Sequence, residues 1–482
     1  MSVASTTPRF KDNVHDALND QRLQGALPHA KNFIAKRADA AVRLPEFEAL
    51  RDSARAIKDH TLAHLDLYLE AYERKVVEAG GHVHYARDSE EAVDIILGIC
   101  KARDAKVVTK GKSMVSEEIG LNAALEREGI NAVETDLGEY VIQLRGEAPS
   151  HIIAPAIHVT RDDIEADFRR AHRDLAPDRD LSQPEQLLSE ARAILRDRFL
   201  SADVGVTGAN FLVAETGTSI IVTNEGNGDL TQILPKVHIV LATLEKSTPT
   251  LNDVAQNLRL LGRSATGQDM SVYTTLSTGP RRAHDPDGPE EYHVVLLDNG
   301  RTAIHAREKE RQTLRCIRCG ACMNACPVYR QTGGHACGSV YPGPIGAILT
   351  PQLTGMKHAQ TLPFASSLCG VCYEVCPVKI NIPEILIDLR AQVTDQERGK
   401  AARFFDPMYL GMRVANLLFS RAWLFHAAQW KARIGLKIFT SKDGWIHSLP
   451  SIGAKWTQTR DLRGLPKQTF HAWWKQRKQA SR

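Results

Sequence analysis

Along residues 45–77 the apolar positions recur every three or four residues: Phe47, Leu50, Ala54 and Ile57, then Leu65, Leu69, Tyr72 and Val76. This is the helix period, and Gly80-Gly81 ends the helix it predicts. Residues 82–85 then read as a strand. Asp88 with Glu91 forms a capping box for a helix through Ile95, Ile96 and Ile99, and Val107-Val108-Thr109 is a buried strand. Residues 113–125 predict a helix, and residues 140–144 and Ile152-Ile153 predict strands. An amphipathic helix over 187–200 leads to strands at 204–206, 211–213, 219–222 and 237–241. Alternating helices and strands over roughly 200 residues argue for an α/β domain with a largely parallel sheet. It is placed at 60–290, where the polar stretch 279–290 supplies a boundary. Residues 1–59 form an N-terminal helical arm whose first eight residues read as disordered.

The chain has 482 residues, 43 % hydrophobic and 24 % charged, which suits a globular protein of about three domains. No secretory signal and no apolar run long enough to span a membrane is predicted, so the cytoplasm is the expected address. The net charge of +4 conceals an asymmetry. Residues 398–482 hold 17 Lys/Arg against 3 Asp/Glu, a net +14, so the preceding residues carry 4 − 14 = −10. All six tryptophans (Trp423, Trp430, Trp445, Trp456, Trp473 and Trp474) lie in the same region, a basic C-terminal segment over 396–482. Residues 413–439 read as one or two amphipathic helices with Trp423, Leu424 and Phe425 among Arg421, Lys431, Arg433 and Lys437. Such a segment suits docking to an acidic partner subunit or a peripheral contact with the inner face of an anionic membrane. No nucleic-acid-binding fold accompanies the charge, and no nucleic acid is expected.

Cysteine placement changes the picture most. Of nine cysteines Cys100 stands alone, on an apolar helix where a structural thiol is expected, and the other eight fall between Cys316 and Cys376. Cys316-Ile-Arg-Cys319-Gly-Ala-Cys322-Met-Asn-Ala-Cys326-Pro327 is the C-x2-C-x2-C-x3-C-P run that wraps a [4Fe–4S] cluster. Two-residue gaps form tight turns that aim successive thiolates at one cube, Gly320 permits close backbone approach, and Pro327 turns Cys326 toward a second cluster. Cys369-Gly-Val-Cys372-Tyr-Glu-Val-Cys376-Pro377 repeats the last three cysteines and the proline. The fourth cysteine of each run crosses over, so one cluster takes Cys316, Cys319, Cys322 and Cys376. The other takes Cys326, Cys369 and Cys372 and lacks a fourth cysteine. Counting back, the missing position is Ser366. Ser366 ligating through oxygen, Cys337 reaching in from the intervening loop, or a three-iron cluster would each fill the gap. A mononuclear zinc site is the competing reading for any CxxC pair. The expectation is a ferredoxin-type domain over 300–395 with two iron–sulfur clusters of the [4Fe–4S] kind.

The α/β region has no G-x-G-x-x-G, GxxxxGK[ST] or HExxH. Polar and glycine-rich text stands at its strand ends. Since ligands of open α/β sheets bind beyond the carboxyl ends of strands, Lys110, Lys112, Glu215, Thr216, Thr218, Asn224 and Glu225 are candidates to line an anion or carboxylate pocket. Ordinary turns with solvated charges are the competing reading.

Several stretches resemble the lactate utilization protein B family, the iron–sulfur subunit of a three-protein L-lactate-oxidising system. They are Ala56-Ile-Lys-Asp-His-Thr-Leu, Lys110-Gly-Lys-Ser-Met-Val-Ser-Glu-Glu-Ile119, Gly208-Ala-Asn-Phe-Leu-Val-Ala-Glu-Thr-Gly217, the cysteine block, Gly333-Gly-His335 and Tyr341-Pro-Gly-Pro-Ile-Gly346. The resemblance covers nearly the whole chain. It implies an α/β domain laid out like sugar isomerases and CoA transferases, a small-carboxylate pocket, partner subunits, and a role in oxidising L-lactate to pyruvate with electrons leaving through the clusters. Ser366 matches a common family variant, whereas Cys337 is not carried over as a family ligand. Lactate oxidation needs a hydride acceptor and none is visible, so the chemistry belongs to a partner or to an acceptor in the α/β domain. The rival reading is a redox-responsive binding or scaffold protein whose clusters are structural or sensory.

Overall fold

Among the described residues ten strands lie in the first 297 residues, most of them short runs with Val, Ile or Leu: β1 (His82–Ala86), β2 (Val107–Gly111), β3 (Asn131–Glu134), β4 (Val204–Thr207), β5 (Phe211–Val213), β6 (Thr218–Thr223), β7 (Val237–Thr243), β8 (Ser247–Thr248), β9 (Tyr273–Ser277) and β10 (Glu291–Leu297). The computed structural model describes residues 5–111, 113–396, 407–466 and 468–480. Six strands pair in parallel in the order β1-β10-β7-β4-β2-β3. After β1 the chain crosses to β2, adds β3 outside it, then reverses and builds β4, β7 and β10 back toward β1. The order of strand addition therefore switches at the β2/β4 boundary, where open α/β sheets hold their ligands. A smaller sheet, β8-β5-β6-β9, is built on the antiparallel β5/β6 hairpin. Parallel strands are covered on both faces and read as continuous apolar runs; every residue of β7 is buried. Val206, Ile239 and Val295 belong to one apolar core, and Val240, Val294 and Leu296 to another.

Helix periodicity over 45–77 predicts one helix; two form, Phe47–Ala63 and Leu65–Glu78, divided at His64. The halves bury different surfaces. Phe47, Leu50 and Ala54 join the core that contains the cysteines, while Leu69, Tyr72 and Val76 join the core against β7 and β10. The expected helix over 113–125 is likewise two, Met114–Glu118 and Leu121–Arg127, because Gly120 turns left-handed at φ +67°. Residues 140–144 are helix rather than strand. Asp136 accepts the N–H groups of Gly138 and Glu139 to start Leu137–Arg145, and Gly146 at φ +67° stops it. The capping box at Asp88 is half made, since Glu91 turns its carboxylate to the Arg87 N–H. The sheet also runs past residue 290, because β10 lies between β1 and β7; residues 279–290 are the connection from β9 into it.

Residues 1–393 cluster as one compact unit and 394–482 as a second. Within the first unit the described start of the chain is anchored. The Thr7 hydroxyl donates to the His358 carbonyl at 2.6 Å, and the Thr361 hydroxyl donates to the Thr7 carbonyl at 2.6 Å. The second unit holds helices Pro407–Phe419, Ala422–Lys437 and Phe470–Ala480 and an antiparallel pair, β11 (Trp445–Ile446) with β12 (Leu462–Arg463). Helices Ala422–Lys437 and Phe470–Ala480 bury no residue, and Trp423, Trp430 and Trp474 are exposed. Among the described residues no helix is long and apolar enough to cross a membrane.

His238, within β7, is fully enclosed, with its Nε2 2.8 Å from the Thr207 hydroxyl, and burial holds the imidazole down to about 3. The unfolded chain then takes up a proton near pH 6.5 that the folded chain refuses. Stability is fully present above that pH and is lost as pH falls toward 3, at ~1.4 kcal/mol per pH unit. Urea titrations between pH 7 and 5 should show this slope, and His238→Gln should remove about that much of it.

Candidate metal centre and adjoining cavity

The two cysteine loops share one backbone conformation. Arg318 and Gly320 have φ of +60° and +71°, and Leu368 and Gly370 have +54° and +87°. In both loops a short helix starts after the glycine, Ala321–Ala325 and Val371–Glu374. The Arg318 N–H donates to the Cys316 sulfur at 3.4 Å, and at the same place in the second loop the Leu368 N–H donates to the Ser366 hydroxyl at 3.1 Å. After the prolines, Cys326 accepts from Tyr329 at 3.5 Å and Cys376 from Ile380 at 3.3 Å. Ser366 thus occupies the position that Cys316 holds in the first loop.

The fold gathers the thiols into two groups. Cys322 lies within electrostatic reach of Cys319, Cys316, Cys376 and, least strongly, Cys372 of the other group, and Cys372 within reach of Cys326 and Cys369. Burial first, and the neighbouring thiols second, push Cys319 and Cys372 up to about 12. Cys337 is also buried; its sulfur accepts the Gly343 N–H at 3.4 Å, and its charged neighbour is Cys326. Among the described residues no three cysteine sulfurs lie within 4.8 Å of one another, the convergence that a single zinc ion requires. Wider spacing, thiol donors and N–H groups aimed at sulfur fit a polynuclear iron–sulfur centre. Cys100 is buried beside Ile96 and Val108, and burial pushes its thiol up to about 12, as for an inert core residue.

Elements distant in sequence brace these loops. Arg51 is buried on helix Phe47–Ala63 and donates to the carbonyls of Glu374 at 2.7 Å and Cys376 at 2.8 Å. Arg37 donates to the Val375 carbonyl at 2.9 Å. Residues 152–153, expected as strand, are instead a buried loop against the first cysteine run. The His151 ring accepts the Ile153 and Ala154 N–H groups at 3.0 Å each, which takes them out of any ladder, and its Nε2 meets Asn324 at 3.0 Å. Gly334 lies so close that a Cβ there would stand 1.8 Å from the Ser150 carbonyl oxygen.

A buried ion network joins the sheet to the first loop. Arg301, which follows β10, grips Glu118 with two bonds, at 2.9 and 2.7 Å, and reaches Glu245, which follows β7, at 3.1 Å. Arg318 reaches Glu245 at 3.4 Å and lies 4.5 Å over the Tyr341 ring. Burial would raise the Glu245 carboxyl; Arg301, Arg318 and Lys246 override it and hold Glu245 down to about 2. Lys58 and Lys246 are buried beside it and, like Arg318, sense Cys316. A cavity of about 550 Å³ opens next to this network, bounded by Ser113 after β2, Asp136 after β3, Asn210 after β4, and by Asn227, Lys246 and Arg318.

Of the expected pocket residues, Asn224 and Glu225 line this cavity. Lys110 does not: it is a buried structural cation, bonded to Glu134 and Asn122. Glu215 accepts the Leu251 N–H at 3.1 Å, and Thr216 and Thr218 bond each other at 2.7 Å in the β5–β6 hairpin, off the cavity wall. Lys112 lies outside the described residues. Sequence reasoning missed Lys246 and Arg318. Arg318 had a signal, a cation inside the cysteine run; Lys246 had none.

Arg301→Met would leave Glu118 and Glu245 buried without their main partner, which costs about 3–5 kcal/mol. Urea unfolding should show a loss of that size.

Comparison with known proteins agrees with this architecture. Residues 69–297 match the LUD domain and residues 312–380 the 4Fe-4S dicluster domain. Lactate utilization protein B of Bacillus licheniformis is 41 % identical over 482 residues, covering 99 % of this chain and 98 % of that one. The Bacillus subtilis protein of the same name is 40 % identical over 486 residues, covering 100 % and 99 %. Similarity of this degree over nearly the full length of both chains, together with the two domain matches, means that the chain belongs to the lactate utilization protein B family.

Proposed function

We propose that this chain is the iron–sulfur electron-transfer subunit of an assembly that oxidises L-lactate to pyruvate. The observation that supports the reading is the placement of the two cysteine runs: Cys376 lines one small cavity with Cys316, Cys319 and Cys322, and Cys372 lies near Cys326 and Cys369, as a crossing-over ligand pattern requires. Paired sites of this kind suit a relay. Each cluster, when bound, takes up and gives back one electron at a time. The protein holds the thiolates with N–H donors and sets Lys58, Lys246 and Arg318 near Cys316, where positive charge favours the reduced state. Removal of a hydride from lactate needs a two-electron acceptor, which this reading assigns to a partner subunit. The exposed tryptophans and the net +14 of residues 398–482 offer that partner an apolar and basic surface.

Ser366 is the fourth ligand of the second cluster in this reading, because its loop repeats the Cys316 loop down to the left-handed residue two positions on. Iron and acid-labile sulfide on anaerobically purified protein, with electron paramagnetic resonance before and after dithionite, test both statements. Roughly eight irons per chain and coupled reduced-state signals are expected. About one or two metal ions and no sulfide would end the electron-transfer reading.

Ser366→Ala should lower the count to about seven and bring up an oxidised three-iron signal, while Cys337→Ala leaves both unchanged. The reverse pattern would transfer the ligand role to Cys337.

A further inference from the structure

Apart from the cysteines, three side chains of ligand type meet where the loop after helix Leu137–Arg145 passes the segment that joins the two cysteine runs. Glu147, His158 and His335 each place one oxygen or nitrogen within 4.8 Å of the other two. Glu147 and His158 are half-buried in the α/β region, and His335 is exposed in the joining segment. The backbone enforces this approach. Gly334 has no room for a Cβ against the Ser150 carbonyl oxygen, and the Tyr329 hydroxyl donates to that same carbonyl at 2.7 Å.

The far side of each group is held in the manner that orients metal ligands. His335 Nε2 lies 2.7 Å from the Ala148 carbonyl, which only accepts, so this ring carries its proton there and keeps an acceptor nitrogen. The Ser150 hydroxyl donates to the Pro155 carbonyl at 3.1 Å and so accepts from His158 Nδ1 at 2.8 Å, which leaves the lone pair on Nε2. That Nε2 stands 2.7 Å from Glu147 Oε2, while Glu147 Oε1 receives Arg145 at 2.9 Å. A proton on His158 would satisfy the His158–Glu147 pair alone. One cation serves all three.

The site opens on a cavity of about 300 Å³, bounded by Asp16, Asp20, Ser150, His158 and His335 and, among the described residues, by no lysine or arginine. Exposed carboxylates on such a wall draw cations in, and the open side leaves space for water to complete the coordination. Two imidazoles and one carboxylate form a donor set that suits Zn²⁺ and excludes the all-oxygen preference of Ca²⁺ and Mg²⁺.

We propose that Glu147, His158 and His335 bind one divalent transition cation of the Zn²⁺ class, which clamps the 146–158 loop to the segment joining the two cysteine runs. The ion takes Glu147 Oε2, His158 Nε2 and a ring nitrogen of His335. This goes beyond the functional reading above and does not depend on it.

Zinc titration of the anaerobically purified full chain against a chromophoric chelator, with X-ray absorption at the zinc edge, tests it. One equivalent should bind, with zinc–nitrogen and zinc–oxygen bonds of about 2.0 Å and no zinc–sulfur bond of ~2.3 Å. His335→Ala, an exposed substitution, and separately His158→Ala should each weaken zinc at least tenfold with iron and sulfide content intact. Zinc should raise the thermal midpoint of the unsubstituted chain and leave that of His335→Ala where it was. No zinc retained against the chelator, sulfur in the zinc shell, or affinity indifferent to His335→Ala would overturn the proposal. A nitrogen-and-oxygen zinc site that needs His335 in protein devoid of iron and sulfide would keep the clamp and remove the electron-transfer reading instead.

Discussion

Buried charge has to be neutralised where it lies, and the contact between sheet and cysteine region is organised by that requirement. Taking an ion out of water costs several kcal/mol unless partners of good geometry replace the solvent. Arg301 meets this condition with a two-bond grip on Glu118 and a further bond to Glu245, and Glu245 in turn receives Arg318 from inside the first cysteine run. These four residues come from helix Met114–Glu118 after β2, from the turns that follow β7 and β10, and from the cysteine loop. None can shift alone without leaving a charge unpaired, so the network fixes the register between the α/β layer and the metal-binding loops.

From that anchor the rest follows in order. The first loop is held in place by Arg318, and the second by Arg51 and Arg37, whose guanidinium groups take up its free carbonyls. A left-handed Arg318 or Leu368 is an uncommon conformation for a side-chain-bearing residue. It recurs because a tight loop must turn its N–H groups inward toward sulfur. Ser366 sits in this repeat as an oxygen where the first loop has a sulfur, so the two loops share backbone geometry and differ in that side-chain atom. The cations around Cys316 belong to the same arrangement: Lys58, Lys246 and Arg318 lie where they offset both Glu245 and the Cys316 thiolate.

Much of this was legible in advance. The cysteine spacing alone predicts that Cys376 joins the first run and Cys326 the second, and the structure brings Cys376 into one small cavity with Cys316, Cys319 and Cys322. The strands β2, β4, β6 and β7 are visible as Val and Ile text, and β1 as a short run between Gly81 and the Asp88 cap. The errors fell where a short apolar run suits either helix or strand. Residues 140–144 became helix through the Asp136 cap and the Gly146 stop, and residues 152–153 became loop because the His151 ring captured their N–H groups. Lys110 was a reasonable pocket candidate at a strand end, yet its side chain turned sideways to Glu134, on the neighbouring strand β3.

The sequence by itself determined the chemistry of the metal-binding loops, the parallel character of the sheet and the segregation of basic, tryptophan-rich text into the C-terminal region. Each depends on residue type at short spacing, which local turn and strand geometry converts directly into structure. Only the tertiary structure decided that Lys246 and Arg318, 72 positions apart, share a cavity wall, and that β10 closes the sheet between β1 and β7. Those relations depend on how buried charges from distant segments find partners, and no local pattern along the chain records that pairing.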